Sequence, residues 1–132
     1  MKRVLQLSCI HSCLWGGFII LLPELAARVY GFTEPLTDIF LWKGTGLIIF
    51  LLGVGYGVAS TDPRKHWLSV AIGLAAKLLG PAGLALSALQ GEVPVSTLYL
   101  IPVNDLIWIY PFAVIVRQGI HSDHVSGTLP QS

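Results

Sequence analysis

Four long apolar runs make up most of the chain. The segments between and beyond them carry most of the charged residues and prolines. Each run has about 20 residues, the length that an α-helix needs to cross the hydrocarbon core of a bilayer. They cover residues 4–22, 36–59, 64–89 and 95–116. Backbone N–H and C=O groups in lipid must be paired within their own segment, which favours helices. The sequence therefore predicts an all-α integral membrane bundle of four transmembrane helices.

The composition supports a surface that faces lipid. Only 11% of the 132 residues are charged and 54% are hydrophobic, whereas soluble domains carry about 25% charged residues. We expect one transmembrane domain over residues 1–117 and a loose polar tail over 118–132. The net charge is +1, and no basic stripe with interleaved aromatic residues is present. The expected partner is thus the lipid bilayer and not nucleic acid.

Basic residues are distributed unevenly between the two ends of this bundle. Arg28 lies on one side, and the other side carries Lys2, Arg3, Arg64, Lys65 and Arg117. The positive-inside rule then places both termini in the cytoplasm. The first run is longer than the 7–15 apolar residues typical of a signal peptide, so we expect a retained helix.

The segments between the runs carry local signals. Residues 24–30 predict a short interfacial helix that ends at Gly31. Asp62 followed by Pro63 predicts the start of the third long helix at Arg64, with Asp62 as its N-cap. Five aromatic residues are expected near the membrane interfaces: Tyr30, Trp42, Tyr56, Trp67 and Tyr99.

Charged residues within the apolar runs mark a candidate site. Asp105 follows Asn104 near the middle of the fourth run, and Lys43 and Lys77 interrupt the second and third. A charged side chain in hydrocarbon costs at least about 2.5–3.5 kcal/mol, so such residues are usually paired and often functional. With a rise of about 1.5 Å per residue, Lys77 and Asp105 both fall near the middle of a core about 30 Å thick. They are the best-matched pair.

Two further residues join this candidate ligand-binding site. His11 is central in the first run and Trp108 lies deep in the fourth, while Lys43 is within snorkelling reach of the surface. Two lysines for one carboxylate leave a surplus positive charge. That surplus suggests an anionic ligand, a water cluster or an uncharged lysine. The alternative is that a Lys77–Asp105 pair only fixes which helices pack together, and that His11 is a packing residue.

Small residues at helical spacing predict close helix packing. Gly46, Gly53 and Gly57 fall on one side of the second run, and Gly53-x-x-x-Gly57 matches the small-x-x-x-small pattern. Gly73 and Gly80 share a face of the third run with Lys77, and Pro81 should bend that helix. The Gly53/Gly57 face could also supply the contact of a homo-oligomer.

The two cysteines are expected to be packing residues. Cys9 and Cys13 are four apart, on one helical face, where helix geometry keeps them too far apart for an easy disulfide. A metal or redox site that includes His11 is disfavoured because the residue at i+2 points away from that face. We therefore expect no metal and no cofactor. The sequence contains no phosphate-binding glycine loop and no nucleophile elbow, so any catalysis would depend on Lys, Asp and His as acid and base.

Several short stretches carry a resemblance to known proteins. They are Trp42-Lys43-Gly44, Asp62-Pro63-Arg64-Lys65-His66-Trp67, Gly73 through Lys77 to Gly80-Pro81-x-Gly83, and Asn104-Asp105-Leu106-Ile107-Trp108 with Pro111-Phe112. In these stretches the chain resembles a group of small, uncharacterised four-helix proteins of the bacterial inner (plasma) membrane. The resemblance covers runs two to four, about two thirds of the chain. It implies the same location here.

Members of that group are sometimes labelled alkyl hydroperoxide reductase. The peroxidatic thiol setting that this label implies is absent from the present sequence. In size and topology the chain is also similar to DoxX-like membrane proteins.

Three functional hypotheses follow. The first is a protein that binds or transports a small anion, a quinone-like head group or a lipid at the intramembrane Lys/Asn/Asp site. Four spans are few for a monomeric transporter, so this hypothesis includes a homo-oligomer. The second is a non-catalytic accessory subunit of a larger membrane complex. The third, a membrane isomerase that uses Asp105 and a lysine for proton transfer, is the least favoured.

Overall fold

All regular structure in the described part of the chain, residues 1–127 of a computed structural model, is helical. The elements in chain order are α1 (Lys2–Leu21), α2 (Pro23–Val29), α3 (Ile39–Ala59), α4 (Trp67–Leu89), a 3-10 helix (Val95–Leu100), a π-helix (Pro102–Leu106) and α5 (Ile107–Gly127). Four segments are long and apolar enough to cross a membrane: α1, α3, α4 and the continuous stretch Val95–Val125. The prediction of an all-α chain with four such segments is confirmed.

The start of α4 differs from the prediction. The helix begins at Trp67 and not at Arg64. The Oδ1 atom of Asp62 accepts hydrogen bonds from the backbone N–H groups of Arg64 and Lys65, each at 3.2 Å, and the Asp62 carbonyl accepts one from His66 at 3.0 Å. Asp62 therefore stabilises a separate turn that precedes the helix, so its role as N-cap of α4 was wrongly predicted.

The fourth span is not one regular helix. The backbone N–H of Ile107 donates to the carbonyl of Pro102, five residues earlier, which is the bonding pattern of a π-turn. Pro102 has no N–H of its own and so cannot continue the hydrogen-bond ladder of the preceding turn. Asp105 lies within the π-helix, and this π-helix directly precedes α5.

The segment after Arg117 is helical, where a loose tail was predicted. It continues α5 to Gly127 and contacts the start of α4, because the Trp67 indole N–H donates to Asp123 Oδ2 at 2.7 Å. The ring of Trp67 also lies directly over Gly119. These contacts tie the polar end of α5 to the bundle, and the last five positions of the predicted tail, 128–132, lie outside the described residues.

α1 and α3 form the closest helix pair. A Cβ atom at Gly46 would lie 2.8 Å from Ile19 Cβ, and one at Gly53 would lie 2.8 Å from Cys13 Sγ. Gly57 faces Cys9 in the same way, with a Cβ-to-Sγ separation of 3.0 Å. The glycine side of α3 is therefore covered by α1 of the same chain, and it does not present the free surface that was suggested for an oligomer contact.

The main core lies at the end of the bundle where α1 begins and α5 ends, here called the terminal end. Its buried members come from all four spans: Leu5, Tyr56, Ala59, Val70, Phe112 and Ile115. Gly73 allows the Tyr56 ring to lie directly against α4. Toward the opposite end, where the α2–α3 and α4–Val95 connections lie (the loop end), a cavity separates α3 from α4. The fold thus closes one end and leaves a space in the other half.

Candidate functional site

Lys77 and Asp105 are brought together across α4 and the fourth span. The Nζ atom of Lys77 lies 3.3 Å from Asp105 Oδ1 and donates a hydrogen bond to the backbone carbonyl of Asn104 at 2.6 Å. Lys77 is only 9% exposed. Removing two charges from water is costly, and it is offset when they pair and when further hydrogen bonds satisfy them. Asn104 thus takes part through its backbone carbonyl, a contribution that its side chain does not predict.

Both helices have an irregular backbone at this level. Pro81 lacks the N–H that would otherwise donate to the carbonyl of Lys77, four residues earlier in α4. On the facing segment, the π-turn encloses Asn104 and Asp105. π-turns within helices often coincide with functional sites. The ion pair therefore sits where both helices leave regular hydrogen bonding.

His11 lies beside the pair and packs against Trp108. Their ring centroids are 5.6 Å apart, and His11 lines a cavity of about 90 Å³ together with Lys77, Asn104 and Asp105. Within residues 1–127 the buried atoms His11 Nδ1 and Trp108 Nε1 have no hydrogen-bond partner. The His11 atom is therefore available to a molecule bound in this cavity, whereas Trp108 lines neither this cavity nor the larger one beside it.

A larger cavity, of about 350 Å³, adjoins the small one. The two share Lys77, Asp105, Ser12, Tyr30 and Ile49 as lining residues. Its volume is at the lower end of the range for small-molecule sites, which are mostly apolar with a few placed polar groups. We call this larger space the α3–α4 cavity.

Tyr56 and Trp42 line the α3–α4 cavity with unused hydrogen-bonding atoms. Tyr56 is 1% exposed, yet among the described residues its hydroxyl has no partner, and the same holds for the buried Trp42 Nε1. A buried polar group without a partner costs about 1–3 kcal/mol. These two cavity-lining side chains thus carry donors that have no acceptor among residues 1–127.

Sequence reasoning missed Tyr56 and Trp42 because it assigned them to the membrane interfaces. A usable signal was present in their spacing. The cavity-lining residues of α3 include Trp42, Thr45, Ile49, Leu52 and Tyr56. Intervals of three and four place these residues on one face of a helix, the face that turns toward Lys77.

Aromatic residues close the loop end of the cavity. The Trp15 indole N–H donates to the Tyr30 hydroxyl at 2.8 Å, and the Tyr30 and Trp42 rings pack edge-on with centroids 5.3 Å apart. Burial raises the pKa of Tyr30, so this phenol stays protonated and retains a hydrogen to donate. Phe32 packs on the other side of Trp42, at 5.9 Å.

Two residues from the predicted set do not take the predicted places. Lys43 is exposed on α3 and lines neither of the two cavities, because its position turns it away from the face that carries Trp42. Gly80 is exposed, and a Cβ built on it would meet no atom within 4 Å. It is therefore not a helix-packing contact, and it lines the α3–α4 cavity instead.

Without Lys43 the charges of the site balance, with one ammonium and one carboxylate. Across residues 1–127 no group of three or more His, Cys, Asp or Glu side chains is arranged to hold a metal ion. No protein-family model, curated protein or solved structure matches the chain. The features that point to a function are thus the Lys77–Asp105 pair and the two cavities that it lines.

Proposed function

We propose that this is a multi-pass protein of the bacterial inner membrane that binds or transports a small polar or lipid-like ligand at Lys77, Asn104 and Asp105. The observation that carries the proposal is the position of the ion pair. It lies between two adjoining cavities whose walls contain buried polar atoms with no partner in residues 1–127. A ligand that accepts hydrogen bonds would satisfy these atoms.

A purely structural pair does not account for those atoms. At this level the polar contact of α4 with the fourth span uses only Lys77, Asp105 and the Asn104 carbonyl. The Tyr56 hydroxyl is not used in that contact, and a phenylalanine would fill the same space without an unpaired hydroxyl. Binding explains both the ion pair and the unpaired groups, and so we favour it.

The distribution of charge supports the proposed orientation. The residues of the terminal end include Lys2, Arg3, Arg64, Lys65 and Arg117. Short loops with an excess of lysine and arginine stay in the cytoplasm. Both termini are accordingly proposed to be cytoplasmic, with the α2–α3 connection on the opposite side.

The second candidate function is an accessory subunit of a larger membrane complex. It is favoured by the short hydrogen bond from Lys77 to the Asn104 carbonyl, which alone would serve to lock α4 to the fourth span. In that case the pair has no ligand, and a hydrophobic replacement of both partners should preserve the protein's role.

Native mass spectrometry of the protein extracted from its own membrane tests the proposal. The binding function predicts a retained non-protein mass on the wild type that is lost from Asp105→Asn, a nearly isosteric change that removes the charge. Circular dichroism should show the variant to be as helical as the wild type. A folded wild type without any retained mass, but with added partner subunits, would replace the binding function by the accessory one.

A further inference from the structure

We infer that the ligand is a neutral amphiphile with hydrogen-bond acceptor oxygens, and that it reaches the α3–α4 cavity sideways from the lipid, between Ile48 and Gly80. This inference rests on the proposed function, because it names the class of ligand and its route to the same site. Three observations carry it: a lateral opening, its depth in the span, and the charge and donor pattern inside.

The opening is made by exposed residues on the two facing helices. Thr45 and Ile48 of α3 and Gly80 of α4 all line the cavity, and all three are exposed. Ile48 is 63% exposed. Gly80 has open space where a side chain would begin. The cavity therefore reaches the outer surface of the bundle between α3 and α4.

The opening lies well inside the span. Ile48 is nine residues beyond the start of α3 at Ile39, and Gly80 is nine residues before the end of α4 at Leu89. At about 1.5 Å per residue each separation is roughly 14 Å. Within a hydrocarbon core about 30 Å thick, both positions are near the middle. A molecule that passes through the opening comes from the acyl chains and not from water.

The interior selects for a neutral head group. Lys77 and Asp105 neutralise each other, and Lys43 does not line the cavity, so no surplus positive charge remains to favour an anion. The groups in need of partners are the Trp42 indole N–H and the Tyr56 hydroxyl. An indole N–H only donates, and a phenol donates readily. The complementary ligand therefore presents carbonyl, ester or ether oxygens.

The size of the cavity limits what it holds. Its volume is about 350 Å³, and a water molecule occupies about 30 Å³ of liquid, so it accommodates about a dozen non-hydrogen atoms. That is enough for a head group and the first part of an alkyl chain. The remainder of a longer chain would extend through the opening into the bilayer.

Photolabelling tests the inference directly. The full-length protein is reconstituted in phosphatidylcholine vesicles with a diazirine-bearing long-chain methyl ester, and with a matched alkyl sulfonate as the fixed-charge anion. After irradiation, the labelled residues are identified by peptide mass spectrometry. We expect saturable labelling by the ester on Thr45, Ile48 or Leu84, which line the cavity, and at least fivefold weaker labelling by the sulfonate.

The critical variant is Gly80→Leu, with Gly80→Ala as its matched control. Both place a Cβ next to Pro81 and share any local effect on the backbone, but only leucine fills the opening. Gly83→Leu provides a second control, because Gly83 also has open space around it and does not line the cavity. We expect at least a fivefold loss of labelling in Gly80→Leu and less than a twofold change in both controls.

The outcomes separate the inference from the function on which it rests. Unchanged labelling in a folded Gly80→Leu would overturn the lateral route, and labelling by the sulfonate equal to that by the ester would overturn the neutral ligand. If Gly80→Leu does not fold, Thr45→Phe, which fills the opening from α3, replaces it as the test variant. A retained native mass that Asp105→Asn loses but Gly80→Leu keeps would leave the binding function intact and remove only the route.

Discussion

Lys77 donates its hydrogen bond at 2.6 Å to the backbone carbonyl of Asn104, the residue directly before the carboxylate with which it pairs. One ammonium group thus binds both the backbone and the side chain of the π-turn. Because the Lys77 Nζ atom contacts both the backbone of the π-turn and the Asp105 carboxylate, a change in the turn is expected to affect the ion pair, and a change in the ion pair to affect the turn. This coupling makes the pair testable by stability measurements as well as by binding.

Loss of one partner should be far more damaging than loss of both. Lys77→Met leaves the Asp105 carboxylate largely buried and unpaired, and breaking such a pair typically costs about 3–5 kcal/mol. The double variant Lys77→Met, Asp105→Leu should recover much of that loss in the free energy of unfolding. The measurement is reversible unfolding in mixed detergent at pH 8. Equal destabilisation by single and double variants would contradict an energetic coupling between the two residues.

Tyr56→Phe should separate stability from binding. The hydroxyl that it removes is buried without a partner in the described chain, so we expect the delipidated variant to be as stable as the wild type or more stable by about 1 kcal/mol. Photolabelling by the methyl ester should fall at the same time. Thermal unfolding and labelling are measured on the same preparation. A clear loss of stability would mean that the hydroxyl has a structural partner.

A side chain at Gly53 should force α1 and α3 apart. Its Cβ would lie 2.8 Å from Cys13 Sγ and 2.9 Å from the Cys13 backbone nitrogen, and overpacking of this kind costs about 1–3 kcal/mol. Gly55→Ala is the control, because no atom lies within 4 Å of its built Cβ. We expect Gly53→Ala to lower the unfolding midpoint and Gly55→Ala to leave it unchanged or raise it. An equal change of the unfolding midpoint in both variants would contradict a close contact of α1 with α3 at Gly53.

The turn before α4 should make stability depend on pH through Asp62. Its hydrogen bond from the Lys65 amide, helped by that of Arg64, lowers the pKa of the carboxyl below its usual value of 3.8. A carboxyl with a lowered pKa in the folded state stabilises above its unfolded pKa, and the contribution is lost as the pH falls through the folded pKa.

The comparison for this prediction is between wild type and Asp62→Ala. The wild type should have the higher melting temperature at pH 7, and the difference should shrink once the pH falls below 3.8. The measurement is thermal unfolding followed by circular dichroism in detergent from pH 7 to pH 2. A difference that stays constant over this range would show that the charge of Asp62 has no part in the turn.

Periodicity and turn chemistry predicted most of the helical elements, since a run of about 20 apolar residues has few alternatives in lipid. One of the two failures had a tertiary cause, and the other a local one. The segment after Arg117 is polar and was predicted to be loose, but Trp67 from α4 holds it by a hydrogen bond to Asp123. The start of α4 moved to Trp67 because Asp62 binds two amides of its own turn first.

The candidate site was predictable in its charges and not in its walls. Depth along each span indicated that Lys77 and Asp105 would lie at one level, because helix rise is nearly constant. The rotation of α3 about its own axis could not be predicted from depth along the span. It directs Trp42 and Tyr56 into the cavity and leaves Lys43 exposed, and it depends on which neighbour the glycine side of α3 packs against.

The sequence by itself determined that the chain forms four apolar helical segments and that a lysine and an aspartate fall near the middle of two of them, because length, hydropathy and helix rise are local properties. Only the tertiary structure decided which groups meet. The close approach of α1 to α3 over Gly46, Gly53 and Gly57 sets the rotation of α3, and that rotation leaves the α3–α4 cavity beside the ion pair. Such packing depends on all the helices at once and therefore cannot be read from any one segment.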